Sequence, residues 1–458
     1  MAKKRKDLFT QGAELPAQML DRTVVAGLKI KDALPQDNVF TKGKRYWHML
    51  GPGLTTGASD DDPSGILTYS QAGARYGFNL LWFSVLAFPL MSVVQEMCAR
   101  IGLVTGRGLA GNIRVHFNKK LLYMCTALLF IANTINIGAD LGAMAKAMQL
   151  FNPSFNFGLM VVMFAVISLA LQIFTPYARY ARYLKWLALI LLSYVLSTLM
   201  ANLDWGEVLR TAALPQLTWD KDLLFIICAI LGTTISPYLF FWQTSQEVEE
   251  QIEQGKVTLR QRQMATSSQD IKSMRIDVWS GMFLTILVMF FIIAACGALL
   301  HQNGITTITS AAQAAEALRP FAGDGAYVLF ALGIIGTGLL AIPVLAGSTS
   351  YAVAESLRWK EGLHRKLNQA HAFYGMIIIS MLVGLAINFI GIDPIQALLY
   401  SAVANGLIAP FILYFVVKMG SNKRVMGRWR NKPLSTAIGW GVIVLMSLSG
   451  VAAIWSLL

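Results

Sequence analysis

Three consecutive aspartates, Asp60, Asp61 and Asp62, are followed by Pro63, Ser64 and Gly65 inside a stretch that otherwise reads as a membrane span. The stretch runs from His48-Met49-Leu50 through Gly53-Leu54-Thr55-Thr56 to Ile66-Leu67-Thr68-Tyr69. One aspartate at mid-bilayer costs roughly 3 kcal/mol to insert, so three together cost about 9 before any relaxation. Adjacent side chains on a helix point about 100° apart, so three carboxylates in a row cannot share one face. Pro63 removes a backbone donor, and Ser64-Gly65 lets the chain leave helical geometry. The spacing therefore predicts a helix broken at membrane depth, with carboxylates and freed carbonyls facing a polar cavity. An acidic, oxygen-rich break of this kind binds a cation.

The rest of the chain is that of a polytopic helical membrane protein. Of its 458 residues, 55% are hydrophobic and 14% are charged, where a soluble domain carries about 25% charge. Apolar segments long enough to cross a core of about 30 Å fall at 48–70, 78–103, 121–147, 157–175, 183–202 and 223–245. Five more follow at 276–300, 326–350, 370–392, 396–418 and 434–457, which gives eleven expected spans. With the N-terminus inside, inner segments hold 32 of the 38 Lys and Arg, while outer loops hold only Arg75, Arg210, Lys221 and Arg319. That bias predicts a cytoplasmic N-terminus in the cell's inner (plasma) membrane. It also accounts for the net charge of +13 without a nucleic-acid partner, because basic loops face anionic lipid. Trp47, Trp82, Trp186, Trp205 and Trp440 cluster near span ends, as an aromatic belt does. Cys98, Cys125, Cys228 and Cys296 lie singly in apolar segments and read as buried hydrophobes rather than disulfides or metal ligands. No apolar core follows the basic start, so no cleavable signal peptide is expected.

Span six carries a second interruption, Gly232-Thr233-Thr234-Ile235-Ser236-Pro237-Tyr238. A proline alone is a weak signal, but spans one and six are the first members of two five-span halves. Broken helices at matching positions of two halves point to the binding site of an inverted-repeat transporter. The expected organisation is a basic cytoplasmic segment 1–46, a first five-helix repeat 47–202, an inverted second repeat 223–418 and an eleventh helix 434–458.

These motifs resemble the Nramp family of divalent metal transporters. The likeness runs from Gly51-Pro52-Gly53 through Asp62-Pro63-Ser64-Gly65 to Gln71-Ala72-Gly73-Ala74-Arg75-Tyr76-Gly77. It continues in Ala99 to Ala110, in Leu231 to Pro237, and in Ser401 and Pro410, covering residues 44–420. The resemblance implies an all-α, LeuT-like fold of two inverted five-helix repeats plus an eleventh helix, with the metal bound between spans one and six. It makes Asp62 the metal ligand and places Ser59 and Thr233 at positions that offer carbonyl oxygens.

The departures from the family's pattern share one chemical direction. Asp62 is kept, but Gly65 stands where the family has a ligating asparagine. Ser236 replaces a methionine ligand, and Tyr238 replaces a histidine. In span three, Asn136 and Ala139 stand where the family carries carboxylates associated with proton transfer, with Asp140 one place beyond. In span ten, Ala402 stands where it carries a glutamine. Losing the thioether removes a soft donor, and losing Asn and Met side chains leaves room. A roomy, oxygen-lined site suits an ion that keeps part of its water shell, as magnesium does. The pattern is most similar to the Nramp-related magnesium transporter branch.

Several assignments stay open at this level. Asp60 and Asp61 are ligands, groups standing behind the ligands, or vestibule charges that concentrate cations. Ser236 binds directly, through water, or only packs the break. Asp140 is a pathway carboxylate or a paired one, and Asn405 faces the cavity or makes a helix-packing hydrogen bond. The acidic run Gln246-Glu247-Val248-Glu249-Glu250 reads as a solvated helix end rather than part of an exit path. Asp277 is expected to pair with Arg275 or a neighbouring helix. The five histidines show no metal-ligand spacing. The expected function is alternating-access transport of magnesium and manganese by a monomer without obligatory proton coupling, with metal as substrate and no cofactor. The alternative is a proton-coupled manganese or iron importer. A sodium-coupled carrier of organic solutes is disfavoured, because three aspartates repel a carboxylate substrate. An enzyme is disfavoured because no nucleophile–base pair, nucleotide loop or histidine cluster is present.

Overall fold

A computed structural model describes residues 51–175, 192–200, 203–215, 220–319 and 323–457. The basic segment 1–46, most of span five, His48, Trp47 and Trp186 lie outside the described residues. Every described element is helical. Eight helical stretches are long and apolar enough to cross a membrane, corresponding to spans two, three, four, six, seven, eight, ten and eleven. Span nine is the shorter His371–Ile387, and span five is represented by Leu192–Met200.

Span one is two helices, Pro52–Asp60 and Pro63–Tyr76. Span six is likewise Lys221–Thr234 and Pro237–Glu253. The two breaks share one backbone design. Asp61 (φ −81°, ψ 47°) and Ile235 (φ −119°, ψ 57°) end the first halves. Asp62 (φ −70°, ψ 172°) and Ser236 (φ −77°, ψ 140°) are extended and each precedes a proline at the first helical position. A residue before proline is driven out of the α region, while proline's fixed φ suits a helix start. The sequence X-Pro therefore both stops one helix and begins the next.

Side-chain caps set several other boundaries, because the first N–H groups of a helix lack internal acceptors. Asn118 accepts from the Lys120 amide at 2.9 Å before span three, Lys119–Phe151. Asn156 accepts from Leu159 at 3.0 Å before span four, Phe157–Phe174. Asp220 accepts from Leu223 at 2.6 Å before span six.

Small residues let the broken helices sit close to their neighbours, as is common in membrane bundles. A Cβ on Gly57 would lie 2.6 Å from the Gly281 carbonyl oxygen, so span one lies backbone-to-backbone on span seven, Ser268–Leu299. The Thr285 hydroxyl, one turn on, donates to the Gly57 carbonyl at 2.6 Å. Gly232 in span six meets Ala402 and Gly406 in span ten, Pro394–Ser421, in the same way.

The expected boundaries need correction in places. Span seven begins eight residues earlier than expected, because Ser267 and Asp270 form a reciprocal capping box. Arg275 and Asp277 are therefore inside the helix. Arg275 pairs with Glu96 of span two at 2.9 Å. Asp277 accepts the backbone N–H groups of Gly51 (2.7 Å), Gly53 (2.6 Å) and Leu54 (3.2 Å) at the start of span one. The acidic run is not a solvated helix end either. Span six continues to Glu253, and Glu247 and Glu249 are 4% and 5% exposed, leaving only Glu250 outside. Glu249 accepts from the Tyr351 hydroxyl at 2.7 Å and lies 2.7 Å from Nδ1 of His364.

Candidate functional site

Asp62 is the residue on which the break in span one is built. Its Oδ1 accepts from the Gly65 amide at 2.7 Å and from the Ser64 hydroxyl at 2.6 Å, which caps the second half-helix. Its Oδ2 accepts from the side-chain amide of Asn136 in span three at 2.8 Å. The carboxylate also stands at the positive N-terminal end of Pro63–Tyr76, where the helix dipole favours an anion.

Asp60, Asp61, Asp62 and Asp140 are all buried, none more than 2% exposed. Among the described residues none of them has a basic partner in a salt bridge. Neither oxygen of Asp60 or of Asp140 has a hydrogen-bond partner there, nor does Oδ1 of Asp61. Asp140 lies beside Ser64 and within electrostatic reach of Asp62. Four carboxyl groups grouped in an apolar bundle without a counter-charge are costly to hold, and a cation is the partner that relieves them. Among the described residues no three His, Cys, Asp or Glu side chains are arranged to hold a metal ion by themselves. Backbone carbonyls, hydroxyls or water must therefore complete a coordination shell.

Gly65 makes the space for such oxygens. A Cβ there would sit 3.0 Å from the Asp60 carbonyl oxygen, 3.1 Å from Oγ1 of Thr233 and 3.4 Å from Cε2 of Tyr69. The two half-helix breaks thus meet at this glycine. Tyr69 was not legible as a site residue, since a buried aromatic one turn beyond a break looks like packing.

Residues 53–456 match the family described as natural resistance-associated macrophage protein-like, Nramp. The chain belongs to the Nramp family. Relatives include the divalent metal cation transporter MntH of Deinococcus radiodurans, 26% identical over 91% of each chain. MntH of Klebsiella pneumoniae is 25% identical over 90% of this chain and 94% of its own. A solved structure of an Eremococcus coleocola manganese transporter superposes with a TM-score of 0.70 at 17% identity, covering 92% of this chain and 89% of that one. The LeuT-like, all-α fold expected from the sequence is the fold observed, and the chain is a multi-pass membrane transporter of the Nramp family.

Against that family pattern, each departing residue has a defined place. Ser236 Oγ donates to the carbonyls of Gly232 (2.6 Å) and Thr233 (2.8 Å), so its hydroxyl closes the break in span six. The Tyr238 hydroxyl donates to the Ser59 carbonyl at 3.2 Å, tying the second half of span six to the first half of span one. That bond occupies one lone pair of an expected carbonyl ligand and leaves the other. Asn136 is a direct partner of Asp62. Ala139 and Ala402 are buried and carry no polar group. Asn405 is 1% exposed, with its amide oxygen unpartnered among the described residues. The structure therefore brings Ser59, Asp60, Asp62, Gly65, Thr233, Asn136 and Tyr238 together, with Asp140 beside Ser64 and Ser236 turned onto its own helix end.

Proposed function

We propose that this Nramp chain carries divalent cations, magnesium and manganese, across the cell membrane by alternating access, without obligatory proton coupling. The observation that carries the reading is the donor set at the paired breaks. Asp62, the Asp60 and Ser59 carbonyls, and Thr233 are all oxygen, with no thioether at position 236 and no side chain at Gly65 to hold the Asp60 carbonyl and Thr233 apart. Oxygen-only donors favour hard cations, and magnesium typically binds through one or two carboxylates with water filling the rest. Asp60 and Asp61 supply further negative charge that draws cations inward.

The uncoupled part of the reading rests on Asn136 and Tyr238. Asn136 gives Asp62 a neutral donor that cannot titrate, where a carboxylate would exchange a proton. Tyr238 brings a phenol, which does not change charge near neutrality, where a histidine would. The inner-membrane location and cytoplasmic N-terminus belong to the same reading, supported by the distribution of basic residues. So does the division into two inverted repeats, supported by the shared backbone design at Asp62-Pro63 and Ser236-Pro237.

The test is uptake of magnesium and of manganese into proteoliposomes, each measured in competition with the other. Comparable transport of both supports the reading, whereas exclusion of magnesium contradicts it.

A further inference from the structure

At the end of the bundle where span one begins, a cavity of about 910 Å3 opens beneath three segments. These are the link between spans two and three, the far end of span six, and the segment after span eight. The volume lies within the range of about 300–1,000 Å3 typical of small-molecule sites. None of the break residues lines it. Its walls carry six basic side chains, Arg107, Arg358 and Lys360 among them, against three carboxylates, Glu249, Glu355 and Glu361.

The carboxylates are already engaged or neutral. Glu249 is bound by Tyr351, His364 and the Leu363 amide. Glu355 accepts from the Gly111 amide at 2.8 Å in the first turn of helix Leu109–His116, so it is the resident anion at that helix end. Burial and the charges of Glu355 and Glu249 push the Glu361 carboxyl up, toward its neutral form, against the pull of Arg365 and Arg262.

Arg107, Arg358 and Lys360 have no ion pair or side-chain hydrogen bond among the described residues. Arg358 (φ 61°) is also the one non-glycine residue with positive φ among the described residues. It caps span eight in the left-handed conformation that usually falls to glycine, and backbone strain of this kind gathers at ligand-holding positions. Beside it, Trp359 is 38% exposed and offers an aromatic face to the same cavity.

We propose that this cavity is a binding site for a phosphate-bearing anion, held by Arg107, Arg358 and Lys360. Guanidinium forks match phosphate oxygens in bidentate geometry, and three cations lining one cavity favour a ligand with more than one negative charge. A nucleoside triphosphate and a phosphorylated lipid headgroup share that chemistry.

The full chain, reconstituted in phosphatidylcholine nanodiscs, is titrated with ATP by calorimetry. In parallel, the chain reconstituted with added phosphatidic acid is weighed by native mass spectrometry. Saturable ATP binding that weakens about tenfold or more in Arg107→Gln and in Lys360→Gln supports the proposal with a soluble source. Failure of ATP to bind, with phosphatidic acid retained by the parent and lost from both variants, supports it with a lipid source. Lys360 is exposed, so its variant reports on binding even where Arg107→Gln does not fold. Neither ligand bound, or parental affinity in Lys360→Gln and in a folded Arg107→Gln, overturns the proposal.

Discussion

The side-chain amide of Asn136 donates to the carboxylate of Asp62 over 2.8 Å, joining the third span to the break in the first. The bond fixes the rotamer of Asp62 while its other oxygen caps the second half-helix. A carboxylate held in this way presents its remaining lone pairs without needing a proton of its own.

Replacing that donor with a second acid is the sharpest way to alter it. In Asn136→Asp two carboxyl groups face each other at hydrogen-bond distance, and such pairs share a proton. Magnesium binding to this variant should release about one more proton per ion than binding to the parent. The release is read with a pH indicator in weakly buffered detergent solution. Equal release from the two proteins contradicts the role given to Asn136.

Asp62 has two separable jobs, cap and ligand. Asp62→Ala loses both, so it should abolish transport and cost about 1 kcal/mol of stability through the lost cap. Asp62→Asn keeps a carbonyl oxygen for the Gly65 amide and removes the charge. It should elute and melt like the parent yet transport no metal. Near-normal uptake by Asp62→Asn makes the residue a structural cap only.

Selectivity follows from the missing side chain at Gly65 and the hydroxyl at Ser236. A Cβ at Gly65 already lies 3.0–3.1 Å from the Asp60 carbonyl and the Thr233 hydroxyl, so a larger side chain must displace them by a few tenths of an ångström. Ser236→Met combined with Gly65→Asn fills that space and adds a soft donor. Magnesium uptake should fall while manganese and cadmium uptake rises, measured by competition in proteoliposomes. A variant with unchanged preference contradicts the hard-donor argument.

At the start of span one, Asp277 is the acceptor for three N–H groups that the helix itself cannot satisfy. Asp277→Ala should lower stability by about 1–2 kcal/mol, read as a lower melting temperature. Arg275→Ala, which loses only a pair between a half-exposed arginine and Glu96, should change it by about 1 kcal/mol or less. The reverse order contradicts the assignment of Asp277 as the cap.

Much of this was legible in the chain itself, for definable reasons. Both breaks were readable because Asp62-Pro63 and Ser236-Pro237 are local signals, set by the restriction that proline places on the preceding residue. That spans one and six meet at the site follows from the sequence only through the family resemblance, and the close approach of Gly65 to Thr233 depends on how two distant spans pack. The partners of Asp277 and Glu249 were not readable. Each lies more than a hundred residues from a bonding partner, and nothing in the local pattern distinguishes a buried glutamate on span six from a solvated one. In the sequence Asn136 shows only as a loss of charge, whereas its role as a donor to Asp62 depends on spans one and three lying side by side.

The account rests most directly on whether metal influx carries protons. Proteoliposomes loaded with a pH-sensitive dye are given external magnesium under an inward-negative potential, which at 100 mV favours influx of two charges by about 4.6 kcal/mol. The account predicts magnesium uptake that follows the potential and leaves the internal pH unchanged. Asp140, buried with neither oxygen hydrogen-bonded among the described residues, is the carboxyl best placed to carry a proton instead. Acidification that tracks magnesium influx and disappears in Asp140→Asn contradicts the account and establishes proton-coupled transport.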